Sequence, residues 1–216
     1  MKKFVTMLTI LLTIVAFVSC DGSGKEPTHG GGADSTSIQY QSEADKAKQA
    51  ELANTTWKGT DSQGNEYSRT FTADTMESTG PAGSGSSGKV KYFIADMKGY
   101  LKIDPDSAFP EFTLPYDKKT DQILGLTSDK HDGIYGTWKD STGKSIFIFD
   151  KSGKGILEAI DENGGIYVYN FFSFTYDGNA SIKIKIEEAF QLSFMIEKDS
   201  LIISPNGEFI NLNKVN

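Results

Sequence analysis

Residues 181–197 read SIKIKIEEAFQLSFMIE, and this stretch decides the fold class. Within it, residues 182–186 alternate isoleucine with lysine, and residues 190–196 carry a large apolar side chain at every second position. A period of two is typical of a β-strand with one buried and one exposed face. We therefore predict two half-buried strands here, forming a hairpin that turns at Glu187–Ala189.

Turn signals and further strand patterns extend this prediction along the chain. The turn signals are Thr142-Gly143, Ser152-Gly153, Asn163-Gly164, Asp177-Gly178, Lys198-Asp199 and Asn206-Gly207. The strand-like stretches of the earlier half are Glu66–Ala73, Lys89–Ile103, Glu111–Tyr116 and Gln122–Thr127, with Gly80–Gly88 as a loop. Since no helical pattern separates these strands, we predict an all-β fold, an antiparallel meander. A sheet with one apolar face must close or double over, so we expect small barrels or sandwiches.

Residues 42–53 are the exception, because their apolar residues recur at the helical period. Three alanines and Leu52 would form one face, and Ser42 stands three residues before Asp45, as in a capping box. We expect one short helix that packs shallowly, through alanine, on the next element.

The amino-terminal residues 1–19 indicate where the protein is exported rather than how it folds. Two lysines precede an uncharged, mostly apolar run, residues 4–18. This run is too short to span a bilayer as a helix, and it is typical of a secretory signal peptide.

Ser19 and Cys20, with the apolar residues before them, resemble the lipobox of bacterial lipoproteins, in which the cysteine is acylated after cleavage. Cys20 is the single cysteine of the chain. The resemblance implies palmitate-type acyl chains on Cys20 that hold the protein on a membrane of the cell envelope, with the outer membrane as our expectation. Residues 20–41 are rich in glycine, serine and threonine and predict a flexible tether.

Two short stretches, one around Trp57 and one around Trp138, have similar sequences. Residues 56–61 read TWKGTD and residues 137–140 read TWKD, and each is followed by a polar turn and an apolar strand that ends near an aspartate. We infer two β units in tandem, a first over 54–128 and a second over 132–216, with one larger barrel as the alternative.

Gly136-Thr137-Trp138 resembles the Gly-x-Trp that opens the first strand of lipocalins, in which the tryptophan closes the base of a barrel. In outline, the chain is similar to the lipocalin-like lipoproteins exported by Gram-negative anaerobes. The resemblance implies that Trp57 and Trp138 close two lipocalin-like barrels. Lipocalins also set an arginine over this tryptophan; the single arginine here is Arg69, so Lys214 would take that role in the second copy.

Composition and charge exclude several kinds of function. The formal net charge is −7, and Arg69 is the only arginine, which argues against a nucleic-acid partner. One cysteine excludes an intramolecular disulfide, and the two histidines, His29 and His131, are too few for a zinc site. We expect neither a metal nor a cofactor.

Catalytic patterns are also missing from the sequence, so we expect a protein that is not an enzyme. His131 lies between Asp129 and Asp132, a pairing that a hydrolase could use. Because this segment is the expected linker between the two units, we interpret His131 as an exposed linker residue.

Residues 166–176 read IYVYNFFSFTY, and alternation makes both faces of this strand apolar. Either the strand is covered on both sides, or a bulge near Asn170 switches the inward face, or one face is an exposed aromatic platform for sugar rings or a lipidic ligand. The candidate ligand-binding residues are Tyr167, Tyr169, Phe171, Trp57 and Trp138.

These observations predict a lipid-anchored envelope lipoprotein that binds a small apolar or glycan ligand, or an envelope protein partner, through its β units. The alternative is a structural or interaction subunit of an envelope complex without a ligand cavity. A ligand binder should have a cavity of about 300 Å³ or more lined by inward aromatic residues. An interaction subunit should have filled barrels.

Overall fold

The computed structural model describes residues 41–81, 89–104, 111–178, 180–205 and 207–215. Within them the chain forms one helix, α1 (Glu43–Leu52), and sixteen strands. The strands are β1 (Thr56–Thr60), β2 (Glu66–Phe71), β3 (Thr75–Thr79), β4 (Lys89–Ala95), β5 (Lys98–Ile103), β6 (Glu111–Asp117), β7 (Gln122–Ile123), β8 (Leu126–Thr127), β9 (His131–Asp132), β10 (Tyr135–Asp140), β11 (Ser145–Phe149), β12 (Lys154–Ile160), β13 (Ile166–Tyr176), β14 (Ser181–Glu197), β15 (Ser200–Ile203) and β16 (Ile210–Val215). The predicted all-β class, with antiparallel pairing and a short helix before the sheet, is confirmed.

Four predictions concern residues outside the described ranges. They are the signal peptide 1–19, acylation of Cys20, the tether 20–41 apart from Gln41, and the loop Gly80–Gly88 apart from its first two residues.

Eight antiparallel strands close into a ring, called ring 1. The pairing runs β1–β2–β3–β4–β5–β14–β15–β16, and β16 pairs again with β1. Trp57 of β1 lies opposite Arg69 of β2 on one side and opposite Lys214 of β16 on the other. Closure leaves the backbone of these strands without an unpaired edge, which is how barrels avoid edge-to-edge association.

A second ring, called ring 2, has the order β6–β14–β13–β12–β11–β10. The short strands β7 and β8 bridge the remaining gap, since β7 pairs with β6 and β8 pairs with β10. Ile123 of β7 is fully buried, and the amide of the next residue, Leu124, donates to the carbonyl of Pro115 at 2.9 Å. The bridging segment therefore closes ring 2 with both hydrogen bonds and a core side chain.

The longest strand, β14, belongs to both rings. Its residues 181–185 pair with β6 of ring 2, and its later residues 189–195 pair with β5 of ring 1. The predicted hairpin at Glu187–Ala189 is therefore wrong, because the chain passes from one ring to the other as a single strand. Glu187 is the extra residue of a β-bulge, and a bulge bends a strand and allows it to change partners.

Strand pairing crosses the boundary between the expected sequence units 54–128 and 132–216. β1 pairs with β16, and β5 pairs with β14, so ring 1 takes three of its eight strands from the second unit. Ring 2 takes β6, β7 and β8 from the first unit. The two rings therefore do not coincide with the two halves of the sequence.

Three apolar clusters hold this arrangement together. The core of ring 1 contains Leu52, Trp57, Tyr67, Phe71, Met76, Tyr92, Ile94, Phe194, Ile196, Leu201, Ile203, Ile210 and Leu212. The core of ring 2 contains Leu114, Tyr116, Ile123, Ile134, Trp138, Phe147, Phe149, Phe172, Phe174, Ile182 and Ile184. A third cluster, called the seam, lies where the outer faces of the two rings meet, and contains Phe93, Ala95, Tyr100, Ile156, Tyr169 and Phe190.

Helix α1 begins as predicted but packs differently. The Ser42 side chain accepts from the Asp45 amide at 3.1 Å, and the Asp45 carboxylate accepts from the Ser42 amide at 3.0 Å, which completes the capping box. The expected alanine face is wrong: Ala44, Ala47 and Ala50 are exposed, whereas Asp45 and Leu52 are buried. Alanine has little apolar area to bury, so other contacts decide how the helix docks.

Those contacts are the burial of Leu52 in the ring 1 core and two hydrogen bonds of the Gln49 side chain. Its amide nitrogen donates to the Ala73 carbonyl at 3.0 Å, and its amide oxygen accepts from the Ile94 backbone at 3.3 Å. The helix thus lies across the end of ring 1 at which β2 ends and β4 ends. No helix among the described residues is both long enough and apolar enough to cross a membrane.

Candidate functional site

The two tryptophans proposed as ligand contacts lie in the two ring cores. Trp57 is 7% exposed and its indole nitrogen donates to the Thr55 hydroxyl at 2.8 Å. Trp138 is fully buried and its indole nitrogen donates to the Ile134 carbonyl at 3.0 Å. Since each indole is packed and its N–H is bonded within the protein, the structure places both as core residues.

The aromatic candidates of β13 lie at the seam rather than on an open platform. Tyr169 is buried, and its ring lies 4.9 Å from Tyr100 and 5.4 Å from Phe93 of ring 1, measured between centroids. Phe171 is half-buried and lies 6.0 Å from Phe93. Of the three alternatives for this strand, coverage on both sides is the one observed.

Tyr167 is set apart from its two neighbours by a bulge. Ala159 pairs with Val168 and Ile160 pairs with Ile166, so Tyr167 is an extra residue between two ladder positions. Its side chain is half-buried, and burial raises the pKa of its phenol. The structure therefore does not group the five predicted ligand-binding residues into one site.

His131 is more enclosed than a linker residue. Its side chain is 18% exposed and its ring lies 4.5 Å from the Trp138 ring. Nδ1 lies 3.0 Å from the Gly133 carbonyl oxygen and 3.7 Å from an Asp121 carboxylate oxygen. The expectation of an exposed linker histidine is therefore wrong, because β9 and β10 fold it onto the wall of ring 2.

Asp132, which follows His131 in the sequence, has a second partner. Asp132 pairs with Lys151 at 2.7 Å, which lowers the pKa of Asp132. Asp121, the acid that does approach His131, accepts a hydrogen bond from Tyr116. The described residues include no group of three or more His, Cys, Asp or Glu side chains placed to hold a metal ion.

A groove of about 520 Å³ lies on the wall of ring 2, and we take it as the candidate site. It is lined by nine residues that form a block of three neighbours on each of β6, β14 and β13. They are Glu111, Phe112, Thr113, Lys183, Ile184, Lys185, Ser173, Phe174 and Thr175.

The strand register explains the shape of this groove. One row across the strands is Glu111, Lys185 and Ser173, and a second is Thr113, Lys183 and Thr175. The row between them is Phe112, Ile184 and Phe174, whose side chains pack in the ring 2 core. Because side chains alternate across a sheet, the two polar rows stand on the outer face as ridges and the groove runs between them.

The two lysines of the groove differ in whether an acidic side chain lies close to them. Lys185 lies 3.6 Å from Glu187, and Glu187 also accepts from the Ser173 hydroxyl at 2.8 Å. Lys183, in contrast, forms no ion pair with any described residue, and a threonine stands beside it on each neighbouring strand. Ammonium, carboxylate and hydroxyl groups side by side suit a polar ligand or a polar protein surface better than an apolar molecule.

Sequence reasoning missed this groove, although one signal was present. The alternating Lys183 and Lys185 were interpreted only as the exposed face of a strand. The neighbours that complete the site come from β6 and β13, and a single sequence does not show which strands pair.

Several charged side chains are buried outside the groove, and two of them are Arg69 and Glu158. Arg69 is 7% exposed, and its Nη1 donates to the Ser68 and Thr79 carbonyls at 2.8 and 3.4 Å. Burial lowers the pKa of its guanidinium. Lys214 also pairs beside Trp57, so the expectation that it serves the second tryptophan is wrong. The other group is Glu158, which is 1% exposed in the seam.

Comparison of the chain with protein-family models, curated proteins and solved structures finds no match.

Proposed function

We propose that this protein is a lipid-anchored, non-enzymatic lipoprotein of the cell envelope that binds a glycan or a protein partner on the outer wall of ring 2. Acyl chains on Cys20 would hold it on the membrane, and residues 20–41 would give the rings reach. The lipobox-like sequence at Ser19-Cys20 supports the anchor.

One observation supports binding on the outer surface. The interiors of both rings are filled by packed side chains, whereas the groove lies on the outer wall of ring 2. Trp57 and Phe194 in ring 1, and Trp138 and Phe172 in ring 2, fill the space in which an apolar ligand would lie. This favours an outer-surface interaction module over an internal cavity for an apolar ligand.

The position of the first described residue also supports the proposal. Gln41, where the described chain begins, bonds to the Ile94 carbonyl at 2.9 Å, beside α1 on ring 1. The groove lies on ring 2, the ring that does not carry α1. The described chain therefore begins away from the residues that line the groove.

The anchor is tested by expressing the full-length protein in a Gram-negative host with radiolabelled palmitate. We expect label on the wild-type protein and its recovery in the membrane fraction, and we expect a Cys20→Ser variant to be unlabelled and released. Recovery of label on the variant, or of unlabelled wild-type protein, would contradict the anchor.

The groove is tested by measuring binding of the full-length protein to an array of envelope glycans and to envelope extracts, with bound material identified by mass spectrometry. Lys183→Glu should abolish binding, because it reverses the central charge of one ridge. Lys58→Glu is the matched control, since Lys58 is an exposed strand lysine on ring 1. Equal loss in both variants, or none in either, would place the binding surface elsewhere.

A further inference from the structure

The bridging segment that closes ring 2 covers only the later part of strand β6. On one side, β6 pairs with β14 along residues 111–115. On its other side, β7 pairs with residues 116 and 117, and the Leu124 amide donates to the Pro115 carbonyl. No strand among the described residues pairs with residues 111–114 on that side. This stretch, called the β6 edge, is therefore an open strand edge next to the groove.

The hydrogen bonds of β6 show which backbone groups lie along the β6 edge. The Tyr116 amide donates to the carbonyl of the residue just before β14 at 2.8 Å, whereas the Pro115 carbonyl accepts from Leu124 on the opposite side at 2.9 Å. In an antiparallel strand, the N–H and C=O groups of alternate residues point to the same side. Glu111 and Thr113 therefore direct their N–H and C=O groups as Pro115 does, away from β14.

The strand at the other end of ring 2, β10, has its edge covered by side chains. The Ser128 hydroxyl donates to the Thr137 carbonyl at 2.6 Å, and the Thr127 hydroxyl donates to the Lys139 carbonyl at 3.4 Å. Within the part of the chain that the structure describes, no such bond reaches the outward backbone groups of the β6 edge. An uncovered edge of this kind is a template for pairing with another chain.

The side chains of the β6 edge indicate which sequence suits it. Residues of an added strand that lie opposite Glu111 and Thr113 would share their outer face, and the residue between would lie beside Phe112, which packs against the ring 2 core. Glu111 is exposed, and Lys185, its neighbour on β14, pairs with Glu187 instead. A basic residue opposite Glu111 would therefore supply the missing opposite charge, and such cross-strand pairs stabilise a sheet.

We propose that the β6 edge binds an extended peptide segment of a partner protein, which adds a strand to ring 2 and places a basic side chain opposite Glu111. The backbone groups of Glu111 and Thr113 need amide donors and carbonyl acceptors at the spacing of a strand, which a polypeptide has and a glycan lacks. Main-chain hydrogen bonds give affinity in this mode, and alternate side chains give specificity. The inference rests on the proposed function, because it names a protein as the partner at this wall of ring 2.

The first test selects binders of the full-length protein from a phage-displayed library of random peptides and measures their affinities as synthetic peptides. We expect peptides that alternate apolar and polar residues and contain lysine or arginine. Thr113→Pro should weaken their binding by at least about tenfold, because it removes an outward amide but no bond to β14. Thr113→Val keeps this amide and is the matched control, which should bind as the wild type does.

Pro115, whose nitrogen lies on the same side of β6, indicates that the strand accepts proline at this edge. Circular dichroism checks the fold of both variants. Failure to select any peptide, full binding by the folded Thr113→Pro protein, or equal loss in both variants would overturn the proposal.

A second measurement needs no variant of the protein. Methylating the backbone nitrogens of a selected peptide at its polar positions should weaken binding by at least about tenfold, because those residues face Glu111 and Thr113. Methylation at its apolar positions should have little effect, since their amides point away from β6. Equal effects of the two methylated peptides would contradict pairing at the β6 edge.

Hydrogen exchange followed by NMR tests the geometry of the edge itself. In the free protein, the Thr113 amide should exchange rapidly and the Leu114 amide, which points toward β14, should be protected. Adding a selected peptide should protect Thr113 and leave Leu114 unchanged. Protection of Thr113 in the free protein, or its continued rapid exchange in the complex, would overturn the proposal.

Two controls separate this inference from the proposed function. If envelope glycans bind in a manner that depends on Lys183 while no peptide binds, the proposed function stands and the peptide inference fails; if neither binds, both fail. Sedimentation equilibrium should show a monomer of the detergent-solubilised protein. Self-association that Thr113→Pro abolishes would make a second copy of this chain the occupant and would overturn the proposal.

Discussion

At the scale of single residues, Trp57 and Trp138 occupy corresponding places in two different rings. Each is buried, and each bonds its indole N–H to an oxygen of the same chain segment, Thr55 or Ile134. Tryptophan is usually accommodated in protein interiors in this way, with its ring packed in the core and its indole N–H hydrogen-bonded. The sequence echo between them thus corresponds to a shared structural role.

Replacing Trp138 tests that role. Trp138→Ala should lower the free energy of unfolding by about 3–5 kcal/mol, because it empties the centre of the ring 2 core. Urea denaturation followed by circular dichroism measures the change, and Trp138→Phe, which keeps much of the apolar volume, should cost clearly less. Unchanged stability with loss of a bound ligand would instead make Trp138 a binding residue.

At the scale of elements, β14 shows what alternation reveals and what it hides. The isoleucines at 182, 184 and 186 and the apolar residues at 190–196 were correctly assigned to strands. The pattern did not show that they form one strand, because a bulge and a turn both interrupt alternation. It also did not show that the early part lies in ring 2 and the later part in ring 1. That difference depends on partners that are distant in the sequence.

Two glycine–aromatic pairs occur at matching places in the two rings. Gly99 pairs with Phe194 in ring 1, and Gly155 pairs with Phe172 in ring 2. A Cβ on Gly155 would lie 2.1 Å from the Phe172 ring, and one on Gly99 would lie 2.0 Å from the Phe194 ring. In each pair the aromatic ring covers the glycine backbone, and this close approach is possible only because the glycine has no side chain.

The pair in ring 2 yields a prediction about packing. Gly155→Ala should destabilise the protein by at least about 1–3 kcal/mol, because the new methyl group would lie 2.1 Å from the Phe172 ring and 2.6 Å from the Ile148 carbonyl oxygen. In the double variant with Phe172→Leu the glycine substitution should cost less, so a double-mutant cycle measured by urea denaturation should report coupling. Lys154→Ala, an exposed neighbour, is the control. Additive free energies would show that the ring does not constrain this glycine.

At the scale of the whole molecule, the sequence supported the fold class but not its connectivity. Composition, turn signals and period-two patterns predicted an antiparallel all-β protein with a capped helix before it, and the structure confirms this. Ring closure depends on β1 pairing with β16 and β5 pairing with β14, contacts that no local pattern encodes. The groove was missed for the same reason, because each of its polar rows is formed by residues of three strands that pair only in the folded protein. The chemistry of a side chain does not distinguish a core aromatic residue from an exposed one, and three of the candidate binding residues, Trp57, Trp138 and Tyr169, are buried.

The shared strand predicts that the two rings unfold together. β14 supplies Ile182 to the core of ring 2 and Phe194 to the core of ring 1, so neither ring can lose this strand without exposing both cores. Ile182→Ala should cost about 2–5 kcal/mol and should lower protection by the same factor in the most protected strands of both rings. Hydrogen exchange by mass spectrometry resolves residues 66–71 of ring 1 from residues 145–149 of ring 2, and Leu201→Ala in ring 1 provides the reciprocal measurement. If each substitution lowers protection only in its own ring, the rings are independent domains joined by a strand, and cooperativity through β14 is refuted.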